Sequence, residues 1–337
     1  MTIRIAVDVM GGDHGPGVIV EGAVAGARSG RAKVLLVGNV AEIESSLKGL
    51  DTSGLEVEVV EATDVISMHD HPAQAVRRKP RSSINVALRL IADGRADAMV
   101  SPGNSGAVMA GALMVLGRVK GIERPAIASY IPTAKGKTLL LDLGAVVDPK
   151  PSNLVQFAEM GQVYAQRVLG IQKPTIGLLS NGEEPTKGNA LVQQVHPLLA
   201  ARDDLNFVGN VEGKDVAMGT VDIVVTDGFT GNVVLKTAEG VASFLVEILR
   251  AEITSSLPRK LAALVLRPAF RSMRSRLDYA EIGGAPLLGV NGAVIISHGR
   301  SSARAIETAT SAAMRSVEHD LAGGLAERSS TSAPSDA

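Results

Sequence analysis

Cysteine is absent from this chain of 337 residues, and so is tryptophan. The first absence removes disulfides, thiolate metal sites and a cysteine nucleophile together. The second, with aromatics at only 2%, removes the base-stacking platforms that hold single-stranded nucleic acid. An excess of either charge is missing too. Lys and Arg number 34 against 35 Asp and Glu, a formal net charge of -1 that argues against nucleic acid as a partner. No uninterrupted apolar run approaches the roughly 20 residues that span a bilayer. No basic and apolar leader precedes the first apolar segment, so the cytoplasm is the expected compartment.

What is present suits a globular enzyme of one large or two coupled domains: 45% hydrophobic and 20% charged residues. Apolar periodicity alternates between short β-branched runs and helical patterns. Strands are expected over 3–9, 33–37, 55–61 and 97–101, and helices over 16–28, 40–47, 71–93 and 105–116. Two strands over 127–131 and 138–143 read as an antiparallel pair turning at Lys135-Gly136-Lys137. Strand and helix alternate again up to the run Val221–Val225, and a long helix follows. A glycine-rich loop over 282–292, a strand over 293–296 and a helix over 302–317 close the pattern. The expectation is a doubly wound, mostly parallel, Rossmann-like α/β fold. One domain is expected over 1–320, with a helical hairpin over about 232–277, and a frayed tail over 321–337.

The most distinctive stretch is Thr226-Asp227-Gly228-Phe229-Thr230-Gly231-Asn232. Its glycines allow a tight turn and close approach, and Asn232 stands where a new helix offers unpaired N–H groups. The turn reads either as an anion site or as a helix cap. Similar small-residue loops follow three other strands, at Asp8–Pro16, Ser101–Gly106 and Ser180–Asn189, and another precedes the strand at 293. All are expected on one edge of one sheet.

Several motifs fail. Gly11, Gly12, Gly15 and Gly17 do not have dinucleotide spacing, so NAD is disfavoured. Gly136-Lys137-Thr138 resembles a P-loop ending, but Ile131 stands where a glycine is required. Neither G-x-S-x-G nor H-E-x-x-H occurs, so no cofactor and no metal are expected. His69 and His71 read as surface residues, and Asp13-His14 as a ligand contact or a helix cap.

The segments Ala6-Val7-Asp8-Val9-Met10-Gly11-Gly12-Asp13-His14-Gly15-Pro16, Ser101-Pro102-Gly103-Asn104-Ser105-Gly106-Ala107, Gly182-Glu183-Glu184-Pro185-Thr186-Lys187-Gly188-Asn189, Asn210-Val211-Glu212-Gly213-Lys214-Asp215, Thr226-Asp227-Gly228-Phe229-Thr230-Gly231-Asn232-Val233-Val234-Leu235-Lys236 and Gly283-Gly284-Ala285-Pro286-Leu287-Leu288-Gly289-Val290-Asn291-Gly292 resemble the bacterial phosphate acyltransferase (PlsX) family. The likeness runs in order over about 3–317. It implies transfer of an acyl group from acyl-acyl carrier protein to inorganic phosphate, for phospholipid synthesis. It also implies a fold of the phosphotransacetylase and isocitrate dehydrogenase group and a site near a homodimer interface. By this resemblance Lys187 and Asn232 are the catalytic pair. The same loops supply candidate substrate contacts at Gly11, Gly12, Asp13, His14, Asn104, Ser105, Gly182, Asn189, Asp227, Gly228, Gly231, Lys236 and Asn291. A peripheral membrane contact and a downstream glycerol-phosphate acyltransferase partner are implied as well. Val146 replaces the family's usual Asn, and Leu179-Ser180-Asn181-Gly182-Glu183 replaces the usual Leu-Asn-Ile-Gly-Glu.

The residue inventory suits that chemistry. Phosphate is its own nucleophile and is largely dianionic at neutral pH, so the site needs charge neutralisation and orientation more than a strong base. Lys187 would act as a point charge and Asn232 as an amide donor. The segment Ser256–Leu277 holds six basic residues and no acidic one. Its Arg259, Lys260, Leu264, Leu266, Arg267, Arg271 and Arg274 are candidate contacts to anionic membrane or to carrier protein. Packing in a dimer is the competing reading. A phosphotransacetylase-like enzyme using acyl-CoA and a non-catalytic anion-binding scaffold are the rival functions.

Overall fold

The structure is a computed structural model that describes residues 2–30, 32–277 and 283–332. The opening runs β1 (Arg4–Asp8), α1 (Pro16–Gly30), β2 (Lys33–Gly38), α2 (Val40–Leu47) and β3 (Val57–Glu61). Proline at the first position of α1 costs no hydrogen bond there and presets the helical φ. The helical region expected over 71–93 is two helices, α3 (Pro72–Arg78) and α4 (Ser83–Ala92). Pro80 disfavours helical backbone at Lys79 and cannot donate its own N–H, while Ser82 caps the second helix by accepting the Asn85 N–H.

β4 (Ala98–Ser101), α5 (Ser105–Val115), β5 (Ala126–Thr133) and β6 (Gly136–Leu141) follow, with β5 and β6 antiparallel as expected. Then come α6 (Pro151–Leu169), β7 (Ile176–Leu179), α7 (Ala190–Ala200), β8 (Phe207–Val211), α8 (Gly213–Met218) and β9 (Ile223–Val225). The long helix α9 (Gly228–Thr254) turns into α10 (Leu257–Leu277), which continues through Pro268. Within the glycine-rich loop lies a short strand, β10 (Ala285–Leu288), ahead of β11 (Ala293–Ile296) and α11 (Ala303–Glu318).

The expected frayed tail is instead α12 (Leu321–Ser332). Leu321 and Leu325 lie one turn apart and are buried in the core under α6. Arg167 donates to the Asp320 carbonyl at 2.9 Å, and Arg328 pairs with Asp204. Two buried leucines, this hydrogen bond and this ion pair hold a segment whose composition otherwise reads as loose. Residues 333–337 lie outside the described residues.

All strands join one sheet in the order β3-β2-β1-β4-β11-β10-β5-β6-β9-β7-β8. Alternation along β1 sends Ile5 and Val7 under α1 and α11 and Ala6 to the opposite face, where α4 and α5 pack. A third cluster fills the space beneath α6, α7 and α12. The doubly wound, mostly parallel expectation therefore holds, with one correction that governs the site. β11 pairs antiparallel with β10, β10 with β5, and β5 with β6. Three reversals leave β6, β9, β7 and β8 running opposite to β1, β4 and β11. The small-residue loops after strands therefore lie on two edges of the sheet, not one.

Candidate active site

Beyond Val225 the chain turns through Thr226 and Asp227 into α9. Asp227 caps that helix, one oxygen accepting the Thr230 N–H at 2.8 Å and the other the Thr230 hydroxyl at 2.7 Å. The Gly228 N–H donates to the Val146 carbonyl at 2.9 Å. The observed hydrogen bonds are those of a helix cap: the Gly228 and Thr230 N–H groups are engaged, and the Asp227 carboxylate stands at the helix start.

The turn also explains its glycines. A Cβ at Gly228 would lie 2.6 Å from a carboxylate oxygen of Asp142, and one at Gly231 would overlap the Asp142 carbonyl. Asp142 follows β6 and is fully buried. Its Oδ1 accepts the N–H groups of Ile127 at 2.9 Å and Ala145 at 3.1 Å, and its Oδ2 that of Val146 at 2.6 Å. Burial pushes this carboxyl up to about 6, while the backbone donors pull the other way.

On the neighbouring strand β7, the following loop folds on itself. Asn181 accepts the Gly188 N–H at 2.9 Å, and Asn189 caps α7 by accepting the Val192 N–H at 2.9 Å. Lys187 is exposed, its stem lying over the buried Gly182. A cleft of about 470 Å³ opens between the two loops. Ser180, Asn181, Asn189, Asp227 and Thr230 give it polar walls, and Leu154, Leu179, Val192 and Val234 an apolar floor. The Ser180 hydroxyl oxygen is buried and has no hydrogen-bond partner among the described residues. Thr230 and Val234 face this cleft from α9. Asn232 is turned about half a revolution away, its Cβ beside Gly144, and is exposed. Lys187 and Asn232 thus leave the same sheet edge on adjacent parallel strands and flank the cleft rather than line it.

The loops after β1, β4 and β11 gather on the other edge. Asp8 is buried and accepts the Ser101 hydroxyl at 2.6 Å, and burial raises its pKa. Gly11 packs against Gly103, close to Asp8, and Gly12 against Ile19. The Asp13 N–H donates to the Gly299 carbonyl at 2.8 Å. His14 and Ser105 are exposed. The Asn104 side chain serves the fold, capping α5 at Ala107 and donating to the carbonyls of Ser67, Met68 and Asp70. Asn291 likewise ties a turn to the Leu116 and Arg118 carbonyls.

Lys236, two turns along α9 from the cap, reaches this second edge. Its ammonium lies 2.9 Å from Glu239 and 3.2 Å from His298, in a cleft shared with Asp13 and Arg300. Burial first, then the Lys236 charge, lowers the His298 pKa. Periodicity did not single out Ser180, Thr230, Asp142, His298 or Arg300. The first residues beyond β6 and β11 are the signal that would have found Asp142 and, near it in kind, His298.

Among the described residues Glu183, Glu212 and Asp215 stand within metal-ligand spacing. Lys214 already pairs with two of them, 3.1 Å from Glu183 and 2.6 Å from Glu212, and these carboxylates raise its pKa. In the α9–α10 hairpin, Arg259, Lys260, Leu264, Leu266 and Arg267 are exposed, and among the described side chains of α10 none is buried. The side chains of Arg271 and Arg274 lie outside the described residues. No helix among the described residues is long and apolar enough to cross a membrane.

A family model described as "Fatty acid synthesis protein" matches residues 3–323. The chain is 54% identical over 306 residues to a phosphate acyltransferase of Anaeromyxobacter dehalogenans, covering 90% of this chain and 84% of the relative. It is 50% identical over 335 residues to one of Geobacter, covering 99% and 95%. Among solved structures, a phosphotransacetylase from Streptococcus pyogenes has a TM-score of 0.63 at 16% identity, covering 95% of this chain and 94% of its own. A branched-chain phosphotransacylase from Enterococcus faecalis has a TM-score of 0.59 at 17% identity, covering 94% and 100%. These two likenesses concern the fold.

Proposed function

This chain belongs to the phosphate acyltransferase family of fatty-acid and phospholipid synthesis, and on that premise we propose that it moves a long-chain acyl group from acyl-acyl carrier protein to inorganic phosphate. A phosphate oxygen attacks the thioester carbonyl carbon; the new C–O bond forms, the C–S bond breaks, and the carrier leaves as a thiolate that takes a proton from solvent. The products are acyl phosphate and free carrier protein. Lys187 neutralises charge on the phosphate or the developing oxyanion, and Asn232 donates an amide hydrogen bond. With no cysteine in the chain, no thioester acyl-enzyme forms, and the acyl group passes directly to phosphate.

The observation that supports this reading best is the pairing of β7 with β9, parallel and adjacent. It sends the loops bearing Lys187 and Asn232 off the same edge, on either side of a cleft with a polar mouth and an apolar floor. The floor suits the methylene chain, each buried CH₂ being worth about 0.8 kcal/mol. Homodimer formation and peripheral contact of the α9–α10 hairpin with anionic lipid belong to the same proposal.

The test is phosphate-dependent release of carrier protein from palmitoyl carrier protein. Lys187→Ala and Asn232→Ala should each lower kcat on the order of 10²–10³-fold. Wild-type turnover of acetyl-CoA in preference to the carrier substrate would overturn the carrier assignment, and full activity of Lys187→Ala would overturn the site.

A further inference from the structure

We propose that Asp142 is a positioning residue for the acyl transfer: its carboxylate folds the loop 142–146 into a bracket that fixes the opening turns of α9 and, with them, the Asn232 amide. The inference rests on the reading of Asn232 given above. The bracket is continuous in hydrogen bonds. Just beyond β6 and β9, the Asp142 N–H donates to the Thr226 carbonyl at 3.0 Å and the Thr226 N–H to the Leu141 carbonyl at 2.6 Å. The carboxylate then gathers the Ile127, Ala145 and Val146 N–H groups. Val146, so placed, turns its carbonyl to the Gly228 N–H at 2.9 Å. Gly144 comes to rest beside Asn232, where a Cβ would meet that of Asn232 at 4.0 Å. Gly228 and Gly231 leave no room between α9 and Asp142, so a movement of the carboxylate moves the helix start.

The groups that face the carboxylate are backbone N–H groups from β5 and its own loop, and Gly228 of α9. The ionisable residues those segments bring nearest along the chain are Arg124, Tyr130, Asp148, Asp227 and Lys236. None of these is hydrogen-bonded to Asp142 among the described residues, so its charge is held by N–H groups alone. Protonation would set an O–H donor against N–H donors and open the bracket. Val146 enters through its carbonyl, so the departure from the family's usual Asn at that position leaves the bracket intact.

The experiment compares wild type with Asp142→Asn, which keeps the shape but turns a donor toward those N–H groups. At pH 8 the variant's kcat for phosphate-dependent acyl transfer should fall on the order of 10²-fold, the cost of a small misplacement. Its KM for acyl carrier protein should change much less. The wild-type to variant ratio should shrink as pH falls through about 6. Without substrate, amide hydrogen exchange over 142–146 and 228–232 should quicken in the variant. Wild-type exchange in both segments, or wild-type kcat, would overturn the proposal. A wild type that transfers no acyl group would instead overturn the function, and the exchange would still decide the bracket. Should Asp142→Asn not fold, Gly228→Ala pushes on the same carboxylate from the other side and carries the same expectations.

Discussion

A buried carboxylate with no cation beside it among the described residues stays ionised only at a cost, and Asp142 shows the cost in its pKa. Its ordinary value of 3.8 rises to about 6 because burial disfavours the charge. The native state therefore binds the proton more tightly than the unfolded chain does. Stability from this group is fully present below about 3.8, declines as pH rises and is gone above about 6. The difference corresponds to about 3 kcal/mol. Asp142→Asn removes that dependence, so relative to wild type the variant should be more stable at pH 7 than at pH 4 by about that amount. Urea melts of both proteins at the two pH values measure it; parallel stability curves would show that the carboxyl titrates normally. The same group is then unfavourable for folding at the pH where, by our inference, it is needed ionised for catalysis.

At the scale of elements, local signals carried most of the fold. Proline at the start of α1, alternation in β1 and the β-branched run of β9 each express a preference that the tertiary structure respects. What stayed hidden was marginal locally. β10 has four residues inside a glycine-rich segment, and α12 owes its order to Leu321 and Leu325 docking beneath α6. Neither signal exists until the partner surface does. The α9–α10 hairpin is the opposite case, legible as helices yet carrying exposed apolar and basic side chains, among them Phe244, Leu245, Leu264, Val265, Arg259 and Lys260. Near an anionic surface each basic residue contributes about 1 kcal/mol. Arg259→Glu, Lys260→Glu and Arg267→Glu combined should thus weaken co-sedimentation with phosphatidylserine vesicles by at least on the order of 10²-fold, with the loss masked at high salt. A raised KM for carrier protein with unchanged vesicle binding would assign the hairpin to carrier docking instead.

For the whole molecule, strand direction decides which residues share a site, and direction was the feature least visible in the sequence. Each loop was read correctly as small and polar, yet three antiparallel pairings in the middle of the sheet send half of them to the far edge. Within one chain, Lys187 and Asn232 flank one cleft, while Lys236, one turn beyond Asn232 on α9, stands with His298 and Asp13 at another. Free energies of changes at separated, unconnected positions add within about 0.5 kcal/mol, whereas groups acting on one reacting centre do not add. A double-mutant cycle on kcat/KM turns this into a test of layout. Lys187→Ala with Asn232→Ala should lose much less than the sum of the single effects, with a coupling above about 1 kcal/mol. Lys187→Ala with Lys236→Ala should be additive. Strong coupling between the two lysines would mean that the two clefts serve one reacting centre, joined along α9 by Asn232 and Lys236, which stand one turn apart on the same helix face.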